Sequence, residues 1–263
     1  MMRFDDENEI NNDILEGRNP VCEALRTGRQ INKLWVASPP EGKRYDPMTY
    51  KIMQEARAGG AVVIETDRKT LDKISVTHGH QGIIAKVAAH NYSSLEDILV
   101  IANERCEAPF VLILDGLKDS YNLGSILRVA DAAGVHGVFI PRHRSVGLDA
   151  AVAKASSGAI EHIPVAKVTN LSNLIDELKD KGFWIYSTHQ DADKMYNEID
   201  YSGPAAIVIG SEGEGISSGI LKKSDFMIKI PMKGKVNSLN AAVAAGIVVF
   251  EAANSRSRVK HEG

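Results

Sequence analysis

Cysteine is nearly absent from this sequence: Cys22 and Cys106 are its only two, far apart and in no C-x-x-C pair. That excludes a disulfide framework and a cysteine zinc site, and it fits a reducing cytoplasm. Long apolar runs are missing too, none approaching the ~20 residues a membrane-spanning helix needs. The N-terminus, M-M-R-F-D-D-E-N-E, is acidic and lacks the apolar stretch of a secretory signal. Charge of one sign is scarce as well. A formal net charge of -3 does not advertise a nucleic-acid binder, although a local patch can differ from the total. Short basic clusters occur at Arg142-His143-Arg144, Lys222-Lys223, and Lys229 with Lys233 and Lys235. Each alone reads as a solvated face. The chain has no G-x-G-x-x-G, no G-x-x-x-x-G-K-[ST], no G-x-S-x-G and no H-E-x-x-H. This argues against dinucleotide, P-loop, serine-hydrolase and zinc-protease chemistry. His78 and His80 lack a ligand cluster around them, so no metal site is expected.

What is there is globular. With 44% apolar and 25% charged residues over 263 positions, the chain can bury one large core or two ordinary ones. Residues 1–12 are polar, acidic and without periodicity, which predicts a loose arm. From about residue 13 to 90, strands expected at 33–37, 61–66 and 83–88 alternate with helices expected between Pro20 and Gly28, at 46–58 and at 69–74. That pattern predicts a small α/β domain. Residues 91–108 read as a linker and a helix capped by Ser93 or Ser94, with Glu96 and Asp97 in its first turn. A second domain is expected over 109–254, followed by a basic tail over 255–263. It opens with F-V-L-I-L-D, a continuous apolar strand of the kind buried on both faces in parallel sheets. Further strands are expected at 137–141, 161–165, 183–187, 205–210 and 226–230. With helices between them, they predict an open, mostly parallel α/β sheet.

In such sheets ligands sit beyond the C-terminal strand ends, and three loops there are richer than turns require. The first is D-G-L-K-D-S-Y-N-L-G-S-I-L-R, where Asn122 reads locally as a helix cap and Arg128 as half of a surface ion pair. The second is G-S-E-G-E-G-I-S, in which Glu212 is unremarkable by itself. The third is I-P-M-K-G-K-V-N-S-L-N-A-A, leading into an apolar helix that Asn237, Ser238 or Asn240 would cap.

Together these loops resemble the three motifs of the SpoU (TrmH-like) RNA 2′-O-ribose methyltransferases, in order and spacing, over roughly 109–251. The matching phrases are N-L-G-S-I-L-R-V-A-D-A-A-G-V, I-V-I-G-S-E-G-E-G-I and I-P-M-K-G-K-V-N-S-L-N. E-G-R-N-P-V-C-E-A-L and H-Q-G-I-I-A resemble the family's L30e-like substrate-binding domain. The resemblance is greatest to the RlmB-like branch, which methylates a guanosine of 23S rRNA. It implies an α/β fold whose C-terminal, mostly parallel sheet is threaded into a trefoil knot, S-adenosylmethionine bound in that knot, RNA as substrate, and a homodimer. By the same resemblance, Gly210, Ile230 and Leu239 hold the cofactor through their backbones, with Thr188 and Met232 nearby. Asn122, Arg128, Glu212, Ser238 and Asn240 match active-site positions. The family proposal gives this arginine a part in removing the hydroxyl proton. A guanidinium stays protonated in ordinary surroundings, so gripping phosphate and stabilising alkoxide charge suits Arg128 better. One departure stands out: relatives often read S-L-N-x-S, whereas Ala242 replaces the second serine here. Other readings within the class are a tRNA ribose or another rRNA nucleotide as target. Outside it, a non-catalytic RNA binder would have no need of Asn122, Arg128, Glu212 and Asn240 together.

Overall fold

The computed structural model describes residues 14–87, 91–236 and 238–259. The expected N-terminal arm, Asn237 and the end of the basic tail lie outside the described residues. The strands are β1 (Ile14–Glu16), β2 (Ile31–Ala37), β3 (Val62–Thr66), β4 (Ile83–Val87), β5 (Phe110–Asp115), β6 (Gly137–Pro141), β7 (Val165–Val168), β8 (Trp184–Thr188), β9 (Lys194–Met195), β10 (Ala205–Gly210) and β11 (Phe226–Lys229). The helices are α1 (Arg18–Arg26), α2 (Pro47–Ala58), α3 (Arg68–Ile74), α4 (Leu95–Glu104), α5 (Ser120–Ala132), α6 (Ala150–Ala155), α7 (Leu171–Asp180), α8 (Ser218–Leu221) and α9 (Ala241–Val259). The chain divides into two compact units. One comprises the chain up to Asn91 together with Gly147–His162, the other Tyr92–Val146 and Ile163 onward.

The first unit is built on a sheet in the order β1-β4-β2-β3. Strand β4 runs antiparallel to β1 and β2, and β2 pairs parallel with β3. Asp46 and Asp67 cap α2 and α3 by accepting the N–H of Thr49 and Thr70. Strand β1 escapes the sequence pattern because three residues are too few to show alternation, yet it ends on a buried carboxylate, Glu16. Burial by itself would push that carboxyl up. Hydrogen bonds from the Thr77 and Ser75 hydroxyls and the Val76 and Thr77 N–H groups outweigh burial and hold it below the ordinary value. Segment Gly147–His162 packs here through α6 and a 3-10 turn at Ala159–Glu161. It is tied by Lys154 Nζ donating to Thr77 Oγ1 at 3.1 Å and by a buried Arg29–Glu161 ion pair at 2.8 Å.

The second unit carries a seven-stranded sheet, β7-β6-β5-β10-β8-β11-β9, with every pairing parallel. Phe110 to Leu114 and Ala205 to Ile209 are buried throughout, as continuous apolar runs at a sheet centre should be. Their neighbours in the core include Ile98, Phe139, Ile175 and Ile185. Two sequence expectations need correction. The strand expected at 161–165 begins only at Val165, because residues 159–161 form the 3-10 turn and Pro164 has no N–H to offer a ladder. A seventh strand, β9, is added to the expected six; two residues carry no period.

The apolar helix α9 divides by face. Ala241, Ala245, Val248, Val249 and Ala252 recur at helical spacing and are buried, whereas Val243 and Phe250 are exposed. Its packing against α5 is close, with Val129 Cγ2 only 3.8 Å from where a Cβ on Gly246 would sit. No helix among the described residues is long and apolar enough to cross a membrane.

Candidate active site

Strands β5 and β10 are neighbours in register, Asp115 opposite Gly210, so the loops that follow them start side by side. Strand β8 lies against β10, and β11 against β8, which brings the loop after β11 to the same edge. The strand order therefore gathers all three motif loops at the C-terminal edge of the sheet.

Asn122 does not cap α5. Asp119 does, accepting the Asn122 N–H at 2.7 Å, and this frees the Asn122 side chain in the first turn for other partners. Asn122 is buried, and its Nδ2 donates to Glu212 Oε1 at 2.8 Å. Asn240 Nδ2 donates to the same oxygen at 2.8 Å and to Asn122 Oδ1 at 2.9 Å. The other end of Asn240 caps α9: Oδ1 accepts the N–H of Ala242 at 2.9 Å and of Val243 at 3.3 Å. One side chain thus does both jobs the sequence held apart, and the cap fixes the amide that orients Glu212. Glu212 Oε1 thus accepts two amide donors.

Beside this network lies a cavity of about 390 Å³. Thr188, Gly210, Ile230, Met232 and Leu239 all line it, and so do Glu212 and Ser238. Isoleucine and leucine residues line it together with the loop Gly210–Ile216, which carries Glu212 and Glu214. The loop after β10 folds back on itself through reciprocal hydrogen bonds between Ser211 and Gly215 at 3.0 and 3.2 Å. That return explains the glycine at 210: a Cβ there would stand 2.3 Å from the Gly215 carbonyl carbon. Asp115 secures the far side of the loop by accepting the Ser217 N–H at 2.8 Å.

Nine of the ten expected site residues are therefore at one place. The tenth, Arg128, is exposed on α5 and lines no part of the cavity. It follows Asn122 by six residues, roughly 240° further around the helix, so the two point to different sides. Ala242 does not line the cavity either. Sequence reasoning missed Glu214, His189, Gln190 and Ala244 as lining residues. Glu214 sits in the same Gly-rich loop as Glu212, and that position was the signal available. Among the described residues, no group of three or more His, Cys, Asp or Glu is placed to hold a metal ion.

Residues 109–250 match the SpoU rRNA methylase family, and residues 14–93 match the family described as RNA 2′-O ribose methyltransferase substrate binding. The chain belongs to the SpoU family. Its relatives include YacO of Bacillus subtilis, described as of the TrmH family of tRNA/rRNA methyltransferases. The two are 46% identical over 94% of this chain and 97% of that protein. Among solved structures, the SpoU methyltransferase AviRb from Streptomyces viridochromogenes, in complex with AdoMet, shares the fold. Its TM-score is 0.81 at 22% identity, over 97% of this chain and 94% of that one. An AdoMet-bound rRNA methyltransferase from Sinorhizobium meliloti aligns at TM-score 0.77 and 27% identity, over 94% of this chain and 89% of that one. The SpoU chain described here is thus an RNA methyltransferase by family, with the small substrate-binding unit preceding the sheet that carries the candidate site.

Proposed function

We propose that this protein transfers a methyl group from S-adenosylmethionine to the ribose 2′-hydroxyl of an RNA nucleotide, most specifically a guanosine of 23S rRNA. The single observation that carries this reading is the Asn122–Glu212–Asn240 network standing at the edge of a cavity formed by Gly210, Ile230 and Leu239. The cavity fits the cofactor chemically. It has the size of small-ligand sites, isoleucine and leucine residues against which a purine would pack, the loop Gly210–Ile216 beside them, and two acidic residues in its lining, Glu212 and Glu214, which suit a positively charged sulfonium. Thr188 Oγ1 donates to the Val208 carbonyl at 3.2 Å, which fixes the hydroxyl and leaves its lone pairs for a ligand donor. Bound there, S-adenosylmethionine supplies an electrophilic methyl group.

The chain's own residues do the rest. Glu212 Oε2 receives the hydrogen of the ribose hydroxyl and orients its oxygen for in-line attack, while Asn122 and Asn240 hold the carboxylate in place. Ser238 offers a hydroxyl at the same wall. As the hydroxyl proton passes from the ribose oxygen to Glu212 Oε2, the negative charge that develops on that oxygen needs a counter-charge; on giving up its methyl carbon, the sulfonium would lose the carbon–sulfur bond and leave as a neutral thioether. Arg128 faces another side of α5 from Asn122, so the guanidinium that supplies the counter-charge is assigned to Arg128 of a second copy of this chain, together with a grip on RNA phosphate. Arg128→Ala is expected to lower kcat about 100-fold under saturating RNA, and Arg128→Lys to recover little of it. If lysine restores most of the turnover, the forked guanidinium has no special part.

The exposed Val243 and Phe250 on α9, with exposed Tyr121 on α5, form the face we assign to a second copy of this chain. A monomer in sedimentation at micromolar concentration would remove that assignment. The trefoil knot is part of the same reading, and an experimental chain trace from Thr188 to Ala241 decides it. Two free cysteines suit a reducing cytoplasm.

Chemistry separates ribose from base methylation. With methyl-tritiated S-adenosylmethionine and rRNA lacking the modification, alkaline hydrolysis should leave the label in alkali-resistant dinucleotides, since a methylated 2′-oxygen cannot attack its phosphate. Label released as mononucleotides would mean that the base is the acceptor.

A further inference from the structure

A second cavity, of about 680 Å³, lies over the other half of the sheet's C-terminal edge, at the ends of β5, β6 and β7. It shares one wall with the first: Ser211, Glu214 and Gly215 line both. Its side chains are of a different kind. Lys118, His143 and Arg144 reach it from the loops after β5 and β6, and Thr169 and Ser172 add hydroxyls from the start of α7. Two carboxylates, Asp115 and Glu214, are also present. Asp115 accepts the Ser217 N–H at 2.8 Å, and Glu214 Oε1 pairs with Lys118 Nζ at 3.5 Å. Arg144 forms no ion pair among the described residues. Lys118 and Arg144 thus equal the two carboxylates in number, but among the described residues only Lys118 is held in an ion pair, which leaves the Arg144 guanidinium, with His143 in the same lining, to meet an anion.

The loop that presents Arg144 is held in an unusual form. Arg144 has φ of 62°, in the left-handed region that favours glycine. Val146 N–H donates to the Leu117 carbonyl at 2.9 Å, tying this loop to the one that carries Lys118. Lys118 in turn precedes Asp119, the residue that caps α5 and so positions Asn122. A strand of RNA whose ribose meets Glu212 therefore has a recess carrying Lys118 and Arg144 next to it, joined by a common wall.

We propose that this recess binds the backbone phosphate of an RNA nucleotide adjoining the methylated one, through Arg144, His143 and Lys118. The proposal rests on the RNA methyltransferase reading above and adds a positioning site to it. Planar, forked donors suit a phosphate's oxygens, and hydroxyls at the wall suit a ribose. A second cofactor is the poorer occupant, because the isoleucine-rich wall of the first cavity has no counterpart on this side. When phosphate arrives it competes with Glu214 for Lys118.

The test uses the full chain and a 23S rRNA transcript, with binding followed by fluorescence anisotropy across a salt series without cofactor. Arg144→Gln should weaken binding about 5–10-fold and flatten the slope of log K against log salt by about 0.7, the share of one single-strand phosphate contact. Glu214→Gln should act in the opposite direction and tighten binding roughly threefold, because it removes the competitor for Lys118. In turnover, Arg144→Gln should raise KM for RNA while kcat stays within about twofold. An Arg144→Gln slope and affinity equal to wild type overturns the proposal, as does equal weakening by both substitutions, which would mark a merely structural role. If the wild type binds no transcript, the RNA reading itself fails, and the recess is then judged by inorganic phosphate. His143 ring signals in NMR should shift saturably with phosphate in the wild type and not in Arg144→Gln. Unmoved signals overturn the anion site.

Discussion

Asn240→Asp is expected to leave α9 capped and still cost methyl transfer about 100-fold in kcat/KM, close to 3 kcal/mol. An aspartate keeps an oxygen to accept the Ala242 and Val243 N–H groups, so the helix start survives. It cannot donate to Asn122 Oδ1 or Glu212 Oε1, and it sets a second carboxylate against the first. Asn240→Ala loses the cap as well, so it should match the aspartate in activity and fall below it by about 1 kcal/mol in stability. Paired measurements of kcat/KM and thermal unfolding separate the two roles. If the aspartate variant turns over like wild type, the amide network is only a brace for the helix.

Gly210→Ala should have the second large effect. The added methyl would lie 2.3 Å from the Gly215 carbonyl carbon and 2.6 Å from both the Gly215 oxygen and the Ile216 nitrogen. All three are backbone atoms, so no side chain can rotate to make room. The loop Ser211–Ile216 has to move, and with it a wall of the candidate cofactor cavity and the start of the Glu212 side chain. Overpacking of this kind costs about 1–3 kcal/mol in stability. Cofactor affinity should fall at least tenfold, or about 1.4 kcal/mol, as read by calorimetry with S-adenosylmethionine. Wild-type affinity in Gly210→Ala would show that the loop's return to Gly215 does not shape the cavity.

Much of the fold can be read from the sequence where elements are long and regular. The run F-V-L-I-L-D announces a doubly buried parallel strand, and Ser94 with Asp97 forms the capping box that S-L-E-D suggests. The failures have physical causes. Strands β1 and β9 span three and two residues, too short for a period to show. Around Asn122, both Asp119 and Asn122 are good caps, and local chemistry cannot choose between them. Asp119 takes the cap, and Glu212, brought in by β10 pairing with β5, gives the freed Asn122 side chain its partner. The resemblance gives Gly210 a backbone contact to the cofactor, and the structure adds a second reason for a glycine there, the Gly215 backbone. Arg142-His143-Arg144 reads as a solvated face in sequence, and nothing local reveals that two of its members line a recess. Cavities depend on strand order, which no single segment encodes.

The most direct measurement of the central claim is a map of ribose methylation in rRNA and tRNA from cells with and without this gene, complemented with wild type or Asn240→Asp. One guanosine of 23S rRNA should lose its 2′-O-methyl group in the deletion, regain it with the wild-type gene, and stay unmodified with Asn240→Asp. Unchanged maps in both RNA pools would contradict the assignment.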